Sequence, residues 1–106
     1  MNKEIMKGSV DIFILSIIEK QDSYGYEIAK CIKEKSEGLY SIGEGTLYPA
    51  LKRMEGRELV ESYWKDDELT GKRKYYRITD KGKQELNERI YQWNKVTNLI
   101  NIFKEE

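Results

Sequence analysis

The 106-residue chain has no histidine, a single cysteine and a single proline. Without histidine it lacks the side chain that most often moves protons near neutral pH, which is also the commonest zinc ligand. The lone Cys31 has no second thiol to close a disulfide with and no companion at metal-ligand spacing. Set at the centre of a helical pattern, it reads as a small buried residue in a reducing compartment, and a cytoplasmic location is expected. Gly-rich phosphate loops and ligand clusters are missing, and the carboxylates are scattered at surface spacing. The chain is therefore expected not to be an enzyme and to use neither metal nor cofactor.

Long apolar runs are missing too. The stretch from Val10 to Ile18 is interrupted by Asp11 and Ser16 and falls far short of the ~20 residues of a membrane span. Glu19-Lys20-Gln21-Asp22 follows it in place of a small-residue cleavage site, so it reads as a core helix, with no membrane partner. No repeat, low-complexity tract or linker divides the chain, which implies one compact domain whose small core gains from self-association. Nineteen basic side chains balance 19 acidic ones. Zero net charge is a weak signal for a nucleic-acid binder, so the placement of the charges matters more than their sum.

What is present is periodicity. A first helix is predicted over residues 6–20, with Val10, Phe13, Ile14, Ile17 and Ile18 on one face. Ile12 and Leu15 form a second apolar stripe, which points to a partner surface. A second helix is predicted over 23–37, capped by Asp22 or Ser23 and stopped at Gly38. Ser41-Ile42-Gly43-Glu44 has capping-box spacing and opens a third helix over 44–56, with Leu47, Leu51 and Met54 inward. Pro49 is tolerable only near a helix start, so regular helix is expected to begin at about Gly45 or Thr46. Residues 59–79 turn β-branched and aromatic around a polar tip and read as a hairpin. Thr79 or Asp80 then caps a last helix to about Phe103. The fold class is mainly α (α+β). A winged helix-turn-helix is expected over 1–79, and a C-terminal dimerisation helix over 80–106 within the same compact unit.

With that order in place, the sequence resembles the PadR family of transcriptional regulators. The resemblance is carried by Tyr24-Gly25-Tyr26-Glu27-Ile28, by Gly45-Thr46-Leu47-Tyr48-Pro49-Ala50-Leu51 and by Arg53-Met54-Glu55. It continues through Gly71-Lys72-Arg73-Lys74-Tyr75-Tyr76-Arg77-Ile78-Thr79 and Gly82. The single final helix is similar to the short subfamily, and Tyr63-Trp64 and Trp93 resemble its multidrug-responsive members. The resemblance implies a repressor that binds double-stranded DNA as a homodimer, and the two-fold symmetry of such a dimer predicts a pseudo-palindromic operator. It also implies release by a planar aromatic small molecule held at the dimer interface.

In a helix-turn-helix the second helix of the motif enters the major groove. Helical geometry turns Gly45, Thr46, Pro49, Lys52 and Arg53 away from the core, and Tyr48 is borderline. Ser23 and Tyr24 open the preceding helix, whose free N–H groups suit a phosphate. On the hairpin, Lys72, Arg73 and Lys74 can neutralise phosphates, although alternation sends Arg73 to the opposite face from its neighbours. The expected DNA-binding set is thus Ser23, Tyr24, Gly45, Thr46, Tyr48, Pro49, Lys52, Lys72, Arg73 and Lys74. Asp66, Asp67 and Glu68 oppose it.

Leu86, Ile90, Trp93, Val96, Ile100 and Phe103 recur at fours and threes along the last helix, as in a coiled-coil seam. A dimer interface of Ile12, Leu15, Ile90, Trp93, Val96, Ile100 and Phe103 is expected. Trp93 reads either as a packed anchor or, with its symmetry mate, as the wall of an effector cavity. That cavity would be lined by Asp11, Ile12, Ile90, Trp93, Val96 and Thr97. The competing function is a winged-helix protein-interaction module that does not bind DNA, since this fold serves such uses as well.

Overall fold

A computed structural model describes Met6 and residues 8–105. Its elements run α1 (Val10–Lys20), β1 (Ser23–Tyr24), α2 (Gly25–Lys35), α3 (Glu44–Gly56), β2 (Val60–Asp67), β3 (Gly71–Ile78) and α4 (Asp80–Glu105). Three antiparallel strands lie in the order β1-β3-β2. This is the expected winged-helix arrangement with one additional strand.

Met6 is helical as expected, but the predicted helix is interrupted: Gly8 turns the chain at φ 92°, Ser9 N–H donates to the Met6 carbonyl, and the continuous α1 starts at Val10. Residue 7 of the predicted helix lies outside the described residues. The second helix also starts later than predicted, at Gly25. Ser23 and Tyr24 pair with Tyr76 and Tyr75 of β3, and residues held in a ladder cannot begin a helix. Neither proposed cap of α2 forms: Tyr24 is the cap residue, without a side-chain bond, and the Ser23 hydroxyl donates back to the Gln21 carbonyl at 2.9 Å. Gly38 does end that region, at φ 80°, with its N–H on the Lys33 carbonyl.

The predicted bounds of α3 hold, but the capping box does not. Gly43 is its cap residue, with no side-chain bond, and its carbonyl receives the N–H groups of Thr46 and Leu47. Pro49 sits inside the helix, which runs unbroken from Glu44. The N–H it lacks would have bonded the carbonyl of Gly45, a residue on the exposed side where water can take that role.

Leu47, Ala50, Leu51 and Met54 of α3 enter one core with Ile14, Leu15 and Ile18 of α1 and Ile28 and Ile32 of α2. Leu59, Val60 and Tyr76 from the sheet side and Leu86 of α4 close it. Leu15 is fully buried within its own chain, so its place in the expected dimer interface is corrected: α1 turns it inward. Ile12 is half-buried and stays at the edge of the core.

Thr79 caps α4 as expected, its hydroxyl oxygen accepting the Gly82 N–H at 3.0 Å. Gly82 is required by close approach, because a Cβ there would run into the Leu59 carbonyl and the Ile78 side chain. Beyond Leu86, α4 buries no further residue among those described, and it projects far enough to give the molecule extents of 59 × 30 × 21 Å.

Candidate nucleic-acid interface

The face of α3 opposite its core stripe is open. Glu44, Gly45, Thr46, Tyr48, Pro49 and Lys52 are all exposed, while Leu47, Ala50 and Leu51 are buried between them. A Cβ placed on Gly45 would meet nothing within 4 Å, so backbone is bare at the helix start, where peptide N–H groups point outward. Tyr48 is less free than its exposure suggests. Its ring lies against Gly25, where a Cβ would stand 2.8 Å from the ring carbons. That contact seats the start of α2 on α3 and fixes the angle between the two helices of the motif. Arg53, which faces away from the core, donates to Asp11 Oδ1 at 2.8 Å.

The two residues expected at the start of α2 are placed differently. Ser23 is buried and its hydroxyl faces Gln21, so it offers no phosphate contact, which corrects the sequence reading. Tyr24 is half-buried in β1, edge-on to Tyr75 at 5.3 Å between ring centroids. Tyr75 in turn stacks on Tyr63 at 5.8 Å. The Tyr63 hydroxyl donates to Asp22 at 2.6 Å, and this bond, with desolvation and the neighbouring carboxylate, holds the phenol above its ordinary pKa.

The basic triplet divides as alternation requires. Arg73 lies over the Tyr24 ring at 5.2 Å, half-buried, with its Nε buried and without a hydrogen-bond partner among the described residues. Lys74, on the opposite face, is half-buried, 4.0 Å from a Glu55 carboxylate oxygen and 5.8 Å from the Tyr76 ring centroid. Lys72 is exposed at the outer end of β3, opposite Asp66. Asp67 accepts the Leu69 N–H at 2.8 Å, and that backbone bond holds its carboxyl below the usual carboxylate range. The hairpin tip therefore stays negative, and Lys72 stands as the outermost basic residue of β3.

Asp11 is the residue the sequence misplaced. Rather than lining an effector cavity, it is buried and grips two guanidinium groups, Arg53 of α3 and Arg89 of α4. A buried carboxylate needs such partners. Of the other expected effector residues, Ile12, Ile90 and Trp93 come together with Ser9, Phe13 and Asn94 around an apolar recess between α1 and α4. Val96 and Thr97 do not line it, and the Thr97 hydroxyl bonds the Trp93 carbonyl at 3.0 Å. Ile90, Trp93, Val96, Ile100 and Phe103 are all exposed, and Leu99 widens the band they form.

No described helix is long and apolar enough to cross a membrane, and no group of side chains able to hold a metal ion occurs among the described residues. Comparison with known proteins agrees with the architecture. A solved transcriptional regulator from Clostridium thermocellum superposes at a TM-score of 0.88 with 40% identity, covering 95% of this chain and 98% of that one. A PadR-like transcriptional regulator from Bacillus cereus gives 0.83 and 35%, covering 98% and 99%. The negative transcriptional regulator PadR of Bacillus subtilis is 29% identical over 71% of this chain, which spans 41% of that longer protein. Such regulators are generally not enzymes. Residues 14–88 match the transcriptional regulator PadR-like family, and the chain belongs to it.

Proposed function

We propose that the chain is a repressor that binds double-stranded DNA as a homodimer. The observation that carries this reading is the pairing of an open α3 face with a projecting α4 whose apolar band has no cover among the described residues. Two copies joined through α4 and the Ile12 edge of α1 bury that band. Two-fold symmetry then presents two α3 helices to one side of a duplex about a helical turn apart, which calls for a pseudo-palindromic operator. Gly45, Thr46, Tyr48 and Pro49 approach base edges and backbone, while Lys52 and Lys72 neutralise phosphates. Arg73 and Lys74 support the wing. Repression by occupying a promoter agrees with the name of the Bacillus subtilis relative.

The recess at Ile12, Ile90 and Trp93 suits a flat apolar ligand stacked on the indole. Asp11 is already held by two arginines, so a neutral aromatic fits better than a cation. Such a ligand releases DNA by favouring a dimer geometry that does not match the operator.

The test is a mobility-shift titration with the DNA upstream of the chain's own coding sequence, repeated at several salt concentrations. Specific retardation with a steep salt slope is expected, and Lys52→Ala and Lys72→Ala, each removing two contacts per dimer, should each flatten that slope by about 2. No retardation at low salt would favour the protein-interaction module. A planar aromatic that changes neither Trp emission nor DNA affinity would remove the effector.

A further inference from the structure

Five charged side chains form a series of ion pairs whose two ends, Arg53 and Arg57, are joined by a backbone bond, so that the circuit closes through α3. Asp11 on α1, with its side chain only 8% exposed, takes Arg53 Nη2 of α3 at 2.8 Å and Arg89 Nη1 of α4 at 3.1 Å. Arg89 Nε donates to Glu85 at 3.0 Å, and Glu85 also faces Arg57 at 3.7 Å, one residue past the end of α3. The path leaves the reading helix at Arg53, crosses α1 to α4 and returns to the reading helix at Arg57.

We propose that Asp11 and Arg89 are positioning residues that fix the angle between α3 and α4, and with it the half-site spacing the dimer accepts. This rests on the dimeric DNA-binding reading above. Apart from the bonds of Glu55 to Ser62 and Lys74 of the wing, the remaining contacts of α3 with the body are mostly apolar and non-directional, whereas one charge-assisted N–H from each of two arginines, each to its own oxygen of one carboxylate, fixes direction as well as distance. The position of Arg89 matters most. Leu86 is the last buried residue of α4, Arg89 is the next one held against the body, and from Ile90 onward every described residue is exposed. The circuit therefore closes at the point where α4 leaves the body for the seam. A small rotation there would be carried along the projecting helix and would change the separation of the two reading heads. Asp11 is an unusual choice for stability alone, because buried ion pairs contribute little net stability and their best-attested use is to specify geometry.

The spacing of half-sites reads this out directly. Adding or removing one central base pair moves a half-site by about 3.4 Å and turns it by roughly 35°. Three duplexes would be built from the upstream segment that the wild-type chain footprints: the native one, and versions with the centre lengthened or shortened by one base pair. The wild type is expected to lose about tenfold or more on the altered pair. Arg89→Met, sedimenting as the same dimer, is expected to bind all three within about threefold of one another. Arg89→Lys should fall between, because one ammonium keeps the charge but not the fork that spans Asp11 and Glu85. If Arg89→Met fails to fold, Asp11→Asn takes its place under the same criteria. Equal weakening on all three duplexes, with the wild-type ratios kept, would reduce the circuit to a structural brace and overturn the proposal. So would a wild type that binds all three alike. A wild type that retards none of them removes the DNA-binding reading and this proposal with it.

Discussion

The body up to Leu86 and the helix beyond it carry the same kind of periodic apolar signal and meet opposite fates. In the body, Ile14, Leu51, Met54 and Leu59 are wholly removed from solvent. In the outer half of α4, exposure runs from 37% at Trp93 to 73% at Phe103. A sequence pattern reports that a face must be covered; it does not report by what. The stripes of α1, α2 and α3 find one another within the chain, while the band on α4 stays open among the described residues. An isolated helical segment of that length is marginal in water, so the proposed partner would order the outer half of α4 as well as complete the reading heads.

Three substitutions sharpen the contrast. The largest effect is expected inside the body. Met54→Ala empties a fully buried site where α3 meets the core and should cost about 2–5 kcal/mol, read as a fall in the urea midpoint at fixed protein concentration. The same truncation at exposed Leu99 should change chain stability little at concentrations too low for association. If Met54→Ala were as mild as Leu99→Ala, the core described here would not be what holds α3.

The second effect should fall on assembly. Ile100→Asp places a carboxylate in the outer band, and two-fold symmetry introduces it twice. The dimer dissociation constant is expected to rise about a hundredfold, equivalent to roughly 2.7 kcal/mol, as followed by analytical ultracentrifugation. The body should keep its helical signal, since Ile100 is exposed in the outer half of α4. An unchanged association constant would place the seam on another face.

The two regions also differ in how much of them the sequence discloses. In α3 the period alone separates Leu47, Leu51 and Met54 from Gly45, Thr46, Pro49 and Lys52, because helix geometry is local and the first set points inward whatever the partner. Thr79 is readable as a cap for the same reason. What stays hidden depends on partners far along the chain. Asp11 meets residues 42 and 78 positions away, and no spacing rule connects them. Strand β1 is two residues long, below the length at which alternation can be recognised, and its pairing with β3 turned two expected helix-start residues into sheet. Leu15 looked spare only because the second stripe on α1 was counted against helices alone. The basic triplet was legible as charge but not as geometry: alternation split it, and neighbouring Tyr24 and Glu55 decided which members stay close to the protein.

The smallest of the three effects concerns the joint between the regions. The Thr79 hydroxyl oxygen accepts the Gly82 N–H at 3.0 Å and directs its own hydrogen toward the Glu58 carbonyl at 2.7 Å, with Leu59 O at 3.1 Å as the alternative. The Thr79 backbone N–H also bonds the Leu59 carbonyl at 3.0 Å, so the start of α4 is fastened to the loop before β2 by side chain and main chain together. Thr79→Ala keeps the backbone bond and loses the cap, at about 1 kcal/mol. Thr79→Ser should recover most of that loss, because the capping oxygen returns. The joint belongs to the body, so the urea midpoint should fall while the dimer dissociation constant stays within about twofold of the wild type. A large change in that constant would mean that the seam feels the angle at which α4 leaves the sheet. The two regions would then be one mechanical unit with its hinge at Thr79, not a folded body carrying an independent handle.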